Sequence, residues 1–236
     1  MLTIEGLEVS IQSVKILRGV SLSVGSGQVA GLIGRNGAGK TTLLRTVMGL
    51  LPWRRGSISF EGQSLRSLPA HARTGLGIGY MPEDRRLIPE LSAEENVLLP
   101  AWAIRLKDAT RRLAWIYELM PEVESFADRK AVLLSGGQQK LVALARALMS
   151  GTKMLLLDEP FEGVAPVLAR RLADVVVQLN RQGLSVILSK SDLADSKEML
   201  DVVISIDRGA VSNPKHRQSP PSGAAGEPKQ KGVDTA

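Results

Sequence analysis

The chain has 236 residues, 44% of them hydrophobic, with no cysteine, two histidines and a formal net charge of +6. That is ample for one domain with a full core, and the lack of cysteine excludes a disulfide framework and fits a reducing cytosol. The longest apolar runs fall short of the roughly 18–20 residues a membrane span needs, the start "MLTIEGLEVS" lacks the pattern of a secretory signal, and His71 and His216 stand alone, against a histidine metal site.

Taken in chain order, "LTIEGLEVSI" (2–11), "KILRGVSLSV" (15–24) and "SISFEG" (57–62) alternate apolar and polar residues. Such stretches predict antiparallel strands with one solvated face. The denser runs "QVAGLIG" (28–34), "GIGYM" (77–81), "KMLLLD" (153–158), "LSVILS" (184–189) and "DVVISI" (201–206) predict parallel strands covered on both faces. Helical patterns fall at about 39–50, 92–120, 136–150, 166–182 and 192–200. The expected fold is α/β: a parallel-sheet core, an antiparallel β-subdomain in front, and a helical subdomain inserted at about 85–150. One domain would then span 1–212. The stretch 213–236 is rich in Pro, Gly and polar residues and lacks large apolar ones, so it is expected to be a disordered tail. Aromatic residues are 3% of the chain and no basic run is interleaved with them, which argues against a nucleic-acid platform.

"GRNGAGKTT" (34–42) follows a predicted strand and opens a predicted helix. It fits the P-loop pattern in the context that pattern requires. Gly34, Gly37 and Gly39 let the backbone of Gly34, Arg35, Asn36, Gly37, Ala38 and Gly39 wrap an anion, with Lys40, Thr41 and Thr42 at the helix start. Lys40 would neutralise the β- and γ-phosphates of ATP and Thr41 would ligate Mg²⁺. In "MLLLDEPFEG" (154–163) two acids follow an apolar strand, where uncompensated charge is costly. Beside a P-loop, Asp158 would face the magnesium shell and Glu159 would reach the water that attacks the γ-phosphate.

"LLSGGQQKLVALARALM" (133–149) runs from a Gly-rich turn into an amphipathic helix with Leu141, Leu144, Ala145 and Leu148 on one face. Ser135 is the expected N-cap, and free amides at Gly136, Gly137 and Gln138 offer a second anion site. The LSGGQ core resembles the signature of ABC transporter ATPases. The order P-loop, "MPED", "LSGGQ", "LLLDEP" matches that family from about Leu2 to Asn213. The resemblance implies the ABC ATPase fold, two ATPs sandwiched in a head-to-tail dimer, and Ser135–Gln138 acting on the nucleotide of the partner subunit. It also implies two membrane permease subunits, a location at the cytoplasmic face of the membrane, and a binding protein engaged indirectly.

The segment "GIGYMPEDRRLIPELSAEENV" (77–97) holds the place of the family's Q-loop, with Glu83 as the magnesium-side residue where most members carry Gln. Its Pro-Glu and paired arginines, with "WIYELMPEV" (115–123) and "DEPFEGVAP" (158–166), look like the shorter ATPase subunit of branched-chain amino acid importers, or of urea and short-amide importers. Those pair two different ATPase subunits, so a heterodimer is expected, with a homodimer as the alternative. Two positions depart from the family. Ile11 stands where an aromatic residue stacks on adenine, and Ser191 stands where a histidine usually touches the γ-phosphate. Lys190 beside it is either surface charge or a functional replacement. An ATP-gated dimerising subunit with little hydrolysis therefore stays open as a second reading.

Overall fold

The computed structural model describes residues 1–192, 199–212 and 215–216. β1 (Leu2–Ile11) and β2 (Val14–Val24) pair antiparallel, with Leu2 opposite Val24 and Ile11 opposite Val14. Gln12 and Ser13 between them both take positive φ, the two-residue turn whose twist matches that of the strands. The chain then enters β3 (Val29–Ile33) and α1 (Lys40–Val47), and returns as β4 (Arg55–Phe60) and β5 (Gln63–Ser64). Among the described residues this first sheet has the order β2-β1-β4-β5 and is antiparallel throughout.

A short α2 (Ala70–Gly75) leads to β6 (Ile78–Met81). Everything regular between β6 and β7 (Met154–Leu157) is helical: α3 (Ala93–Ile104), α4 (Ala109–Leu119), α5 (Pro121–Glu124), a 3-10 turn at Ala131–Leu133, and α6 (Gly136–Ser150). α7 (Pro166–Arg181), β8 (Ser185–Lys190), β9 (Val202–Asp207), β10 (Ala210–Val211) and β11 (Lys215–His216) follow. The second sheet has the order β10-β9-β3-β8-β7-β6, with β11 also on β9, and its β9, β3, β8, β7 and β6 run parallel.

Burial explains the dense strands. Every residue of β3 and β7 is buried, as expected where both faces are covered. β7 divides its side chains by alternation. Met154 and Leu156 enter a core between the sheets, which also holds Ile4, Phe60 and Leu44. Leu155 and Leu157 enter a core under the helices, with Leu144, Leu148 and Val176.

Three expectations differ from the structure. The helix expected over 92–120 is two helices, because Arg105 takes a left-handed conformation (φ 53°, ψ 48°) and Leu106 N–H turns back to the Ala101 carbonyl at 2.9 Å. A helix stop of this kind commonly shows as glycine, and here no glycine marks it. α2 was not expected; its Arg73 is buried and donates to the carbonyls of Thr46, Val47, Leu65 and Leu68. Within the stretch expected to be unstructured, Lys215 and His216 pair antiparallel with Val203 and Val202, on edge groups of β9 that β10 leaves open. The helix expected at 192–200 falls largely outside the described residues, as does most of 213–236.

Candidate active site

The P-loop lies between β3 and α1. Its first amide, Gly34 N–H, donates to the Lys190 carbonyl at 3.1 Å and so ties the loop to β8. A Cβ at Gly34 would stand 2.2 Å from the Ile206 carbonyl oxygen, and Gly39 sits at φ 112°, so glycine is required at both for different reasons. Lys40 opens α1 with its side chain only 5% exposed. Its ammonium turns back into the loop, donating to the Gly34 carbonyl at 2.6 Å and lying 3.0 Å from Glu159 Oε1.

Asp158 and Glu159 follow β7 directly, and both are buried. Asp158 Oδ1 accepts from Ser189 Oγ at 2.7 Å and from Thr41 Oγ1 at 3.2 Å, and Oδ2 accepts from the Tyr80 hydroxyl at 3.4 Å. Burial pushes the Asp158 carboxyl pKa up; the hydroxyls of Ser189 and Thr41 oppose it, and the charge of Glu159 adds to it. Glu159 takes φ 45°. Its N–H donates to Ser189 Oγ at 2.9 Å, and its carbonyl accepts from Lys140 Nζ at 2.9 Å. Ser191 Oγ lies 3.2 Å from Glu159 Oε1 and 3.0 Å from Asn36 Oδ1, and its single proton serves one of them at a time.

Glu83 stands exposed at the rim, in the loop after β6. Partial desolvation, then the charges of Asp158, Glu162 and Glu159, raise its carboxyl pKa. Ser135 caps α6 reciprocally with Gln138: Gln138 N–H donates to Ser135 Oγ at 3.3 Å and Ser135 N–H to Gln138 Oε1 at 2.9 Å. Among the described residues no hydrogen bond or ion pair joins Ser135–Gln138 to the P-loop. Both ends of α6 instead grip the Glu83 loop. Arg85 Nη1 donates to Gln139 Oε1 at 2.9 Å and to the Gly136 carbonyl at 3.4 Å, while Arg146 donates to the carbonyls of Arg85 and Arg86, the latter at 2.6 Å. Arg85 and Arg86 both have positive φ.

The structure therefore gathers Gly34–Thr42, Asp158 and Glu159, sets Glu83 at the edge, and leaves the Ser135–Gln138 amides elsewhere. Tyr80, Ser189 and Lys140 were not among the expected residues. Two of them carry a readable signal: Ser189 is a polar residue in an apolar strand, and Lys140 shares the apolar face of α6 through Leu144 and Leu148 at helical spacing. Ile11 is 39% exposed beside the hairpin turn, next to Val14 at 61%, so an apolar edge stands where adenine stacking was expected.

The donor set suits ATP with magnesium. A hydroxyl and a carboxylate meet at Thr41 and Asp158, and Mg²⁺ takes oxygen ligands, commonly one or two carboxylates completed by substrate phosphates and water. Among the described residues no group of three or more His, Cys, Asp or Glu forms a metal cage.

A Gly-rich loop between a buried parallel strand and a helix, its Lys40 meeting Glu159 and its Thr41 meeting Asp158 at the end of a strand one place removed in the same sheet, defines a P-loop ATPase. The chain belongs to the ABC transporter family, whose sequence model matches residues 17–162. It is 33% identical over 211 residues to the high-affinity branched-chain amino acid transport ATP-binding protein BraG of Pseudomonas aeruginosa, covering 89% of this chain and 91% of BraG. It is 35% identical over 215 residues to the lipopolysaccharide export system ATP-binding protein LptB of Haemophilus influenzae, covering 89% of this chain and 88% of LptB. The crystal structure of the ADP conformation of MJ1267, an ATP-binding cassette of an ABC transporter, aligns with TM-score 0.80 and 29% identity over 92% of this chain and 91% of that one. Among the described residues no helix is long and apolar enough to cross a membrane.

Proposed function

We propose that this ABC ATPase powers an importer of branched-chain amino acids. The observation that carries the catalytic half is the meeting of Lys40, Thr41, Asp158 and Glu159 at the carboxyl ends of β3 and β7. Lys40 and the Gly34–Thr42 loop hold the phosphates of ATP. Thr41 and Asp158, with Glu83 at the rim, hold Mg²⁺, which when bound neutralises charge on the β- and γ-phosphates. Glu159 polarises the attacking water. Ser135–Gln138 present their amides to the nucleotide of a second ATPase subunit, which explains their separation from the P-loop of their own chain. That second subunit is a different chain, or a second copy of this one. Two permease subunits hold the pair at the cytoplasmic face of the membrane, a binding protein delivers solute, and nucleic acid has no part.

The likeness to BraG and the "PEDRR" segment support the amino-acid reading. The likeness to LptB is as close and supports a second one, the ATPase of a lipopolysaccharide exporter. Urea and short amides remain the alternative solutes of an importer. Reconstitution with permease subunits of an amino-acid importer and of a lipopolysaccharide exporter separates these readings. Turnover raised by a leucine-loaded binding protein supports the first. Turnover indifferent to amino acids but raised by lipopolysaccharide replaces it with the second.

A further inference from the structure

Lys140 is 3% exposed, and a buried ammonium is costly unless its protons are used. Its Nζ donates to the carbonyl of Glu159 at 2.9 Å and to the carbonyl of Glu162. It therefore reaches from α6 into the turn that follows β7. Glu159 sits in that turn at φ 45°, a conformation uncommon for residues other than glycine and one that costs energy unless neighbouring contacts support it. Its peptide groups are fastened on two sides: Ser189 of β8 takes the N–H at 2.9 Å, and Lys140 of α6 takes the carbonyl. The Glu159 carboxylate is aimed by this backbone, with Oε1 between Lys40 and Ser191.

We propose that Lys140 is a positioning residue for hydrolysis: it fixes the left-handed backbone of Glu159 and so the direction of its carboxylate. The assignment rests on Glu159 polarising the attacking water. Lys140 lies on the same helix as Ser135–Gln138, two residues beyond Gln138. The element that meets the partner's nucleotide thus also holds the water-activating acid of its own chain.

The test is ATP hydrolysis by the purified full-length chain under single-turnover conditions with Mg²⁺. Lys140→Met keeps the apolar stem and removes the donor. The rate constant should fall about tenfold to a hundredfold, the scale on which a displacement of about 1 Å acts. The ATP concentration for half-saturation should stay within about twofold, because phosphate binding is untouched. Lys140→Arg, which keeps donors, should recover most of the rate. In a Glu159→Gln background, Lys140→Met should change the residual rate less than about twofold, since the group it positions is already gone. A full additional drop in that background means a general structural role and overturns the proposal. Lys140→Met at the wild-type rate, with Glu159→Gln impaired, overturns it while leaving the role of Glu159 standing. Glu159→Gln at the wild-type rate removes the reading of Glu159 itself.

Discussion

The ammonium of Lys40 and the carboxylate of Glu159 meet at 3.0 Å, with side chains 5% and 8% exposed. The cation proposed to bind phosphate is thus engaged by the acid proposed to activate water. On the proposed roles, an arriving γ-phosphate would compete for the same ammonium, so nucleotide binding is expected to free the Glu159 carboxylate as it captures Lys40.

Replacing Glu159 with Gln removes both the acid and the competitor. Turnover should fall by at least about 100-fold, within the range one acid–base or electrostatic group supplies. ATP should still bind, at least as tightly as in the wild type, and an ATP-bound dimer should accumulate. Turnover assays, nucleotide titration and gel filtration check this, and weaker ATP binding by the variant contradicts the competition.

Ile11 tests base recognition. Stacking of a base on an aromatic face is worth about 1–3 kcal/mol in nucleic-acid-binding proteins, and about 1.4 kcal/mol is tenfold in affinity. Ile11 offers apolar contact without a π face, so the isolated chain should discriminate weakly between ATP and GTP. Ile11→Tyr should tighten ATP several-fold with the magnesium requirement unchanged. Equal ATP affinities for the two proteins mean that the missing aromatic costs nothing, with Val14 already covering the base.

The permease contact is expected around residues 83–104, with a cysteine scan along 86–102 as its probe. Within it Ala93, Val97 and Ala101 are buried inside the helical subdomain, whereas Ile88 is 41% and Trp102 is 53% exposed. Single cysteines at Ile88 and Trp102 should crosslink to the permease in the assembled complex, and cysteines at Ala93, Val97 and Ala101 should stay silent. An intact complex giving no crosslink at either exposed position excludes this face.

Acid stability has a local contributor in Arg171, whose guanidinium holds both oxygens of Glu122, the second at 3.1 Å, and joins α7 to the start of α5. That hydrogen-bonded pairing lowers the Glu122 carboxyl pKa. The folded value lies below the unfolded one, so the stabilisation is complete above the ordinary carboxylate range and is lost as pH falls through the depressed value. The pair is partly exposed, so its contribution should be about 1 kcal/mol or less. Urea midpoints measured between neutral pH and pH 3 should show wild type above Glu122→Gln at neutral pH, with the gap closing in acid. A gap that does not close assigns the difference to packing.

Much of the fold could be read because burial and period agree. β3 and β7 are apolar throughout and covered on both faces, and α6 carries its cap, its glycines and its apolar face in sequence. The meeting of Lys40 and Thr41 with Asp158 and Glu159 was legible from motif chemistry. The break at Arg105 was not, since an arginine in the left-handed region leaves no compositional mark. Tyr80 and Ser189 were also missed. Their contacts with Asp158 join strands that the register of the second sheet brings side by side, a relation no local spacing encodes. Ser191 was expected only as an absence, yet its hydroxyl spans Asn36 and Glu159.

The reciprocal arginines that join the loop after β6 to α6 have a mechanical consequence. Arg85 reaches forward to α6, and Arg146 reaches back from α6 to the backbone of Arg85 and Arg86. Because each side supplies one grip, the loop and the helix cannot slide past each other without breaking both. A displacement of the loop near Glu83 would therefore have to break grips at both ends of α6 or take the helix along with it, as a load on a doubly bolted strut must.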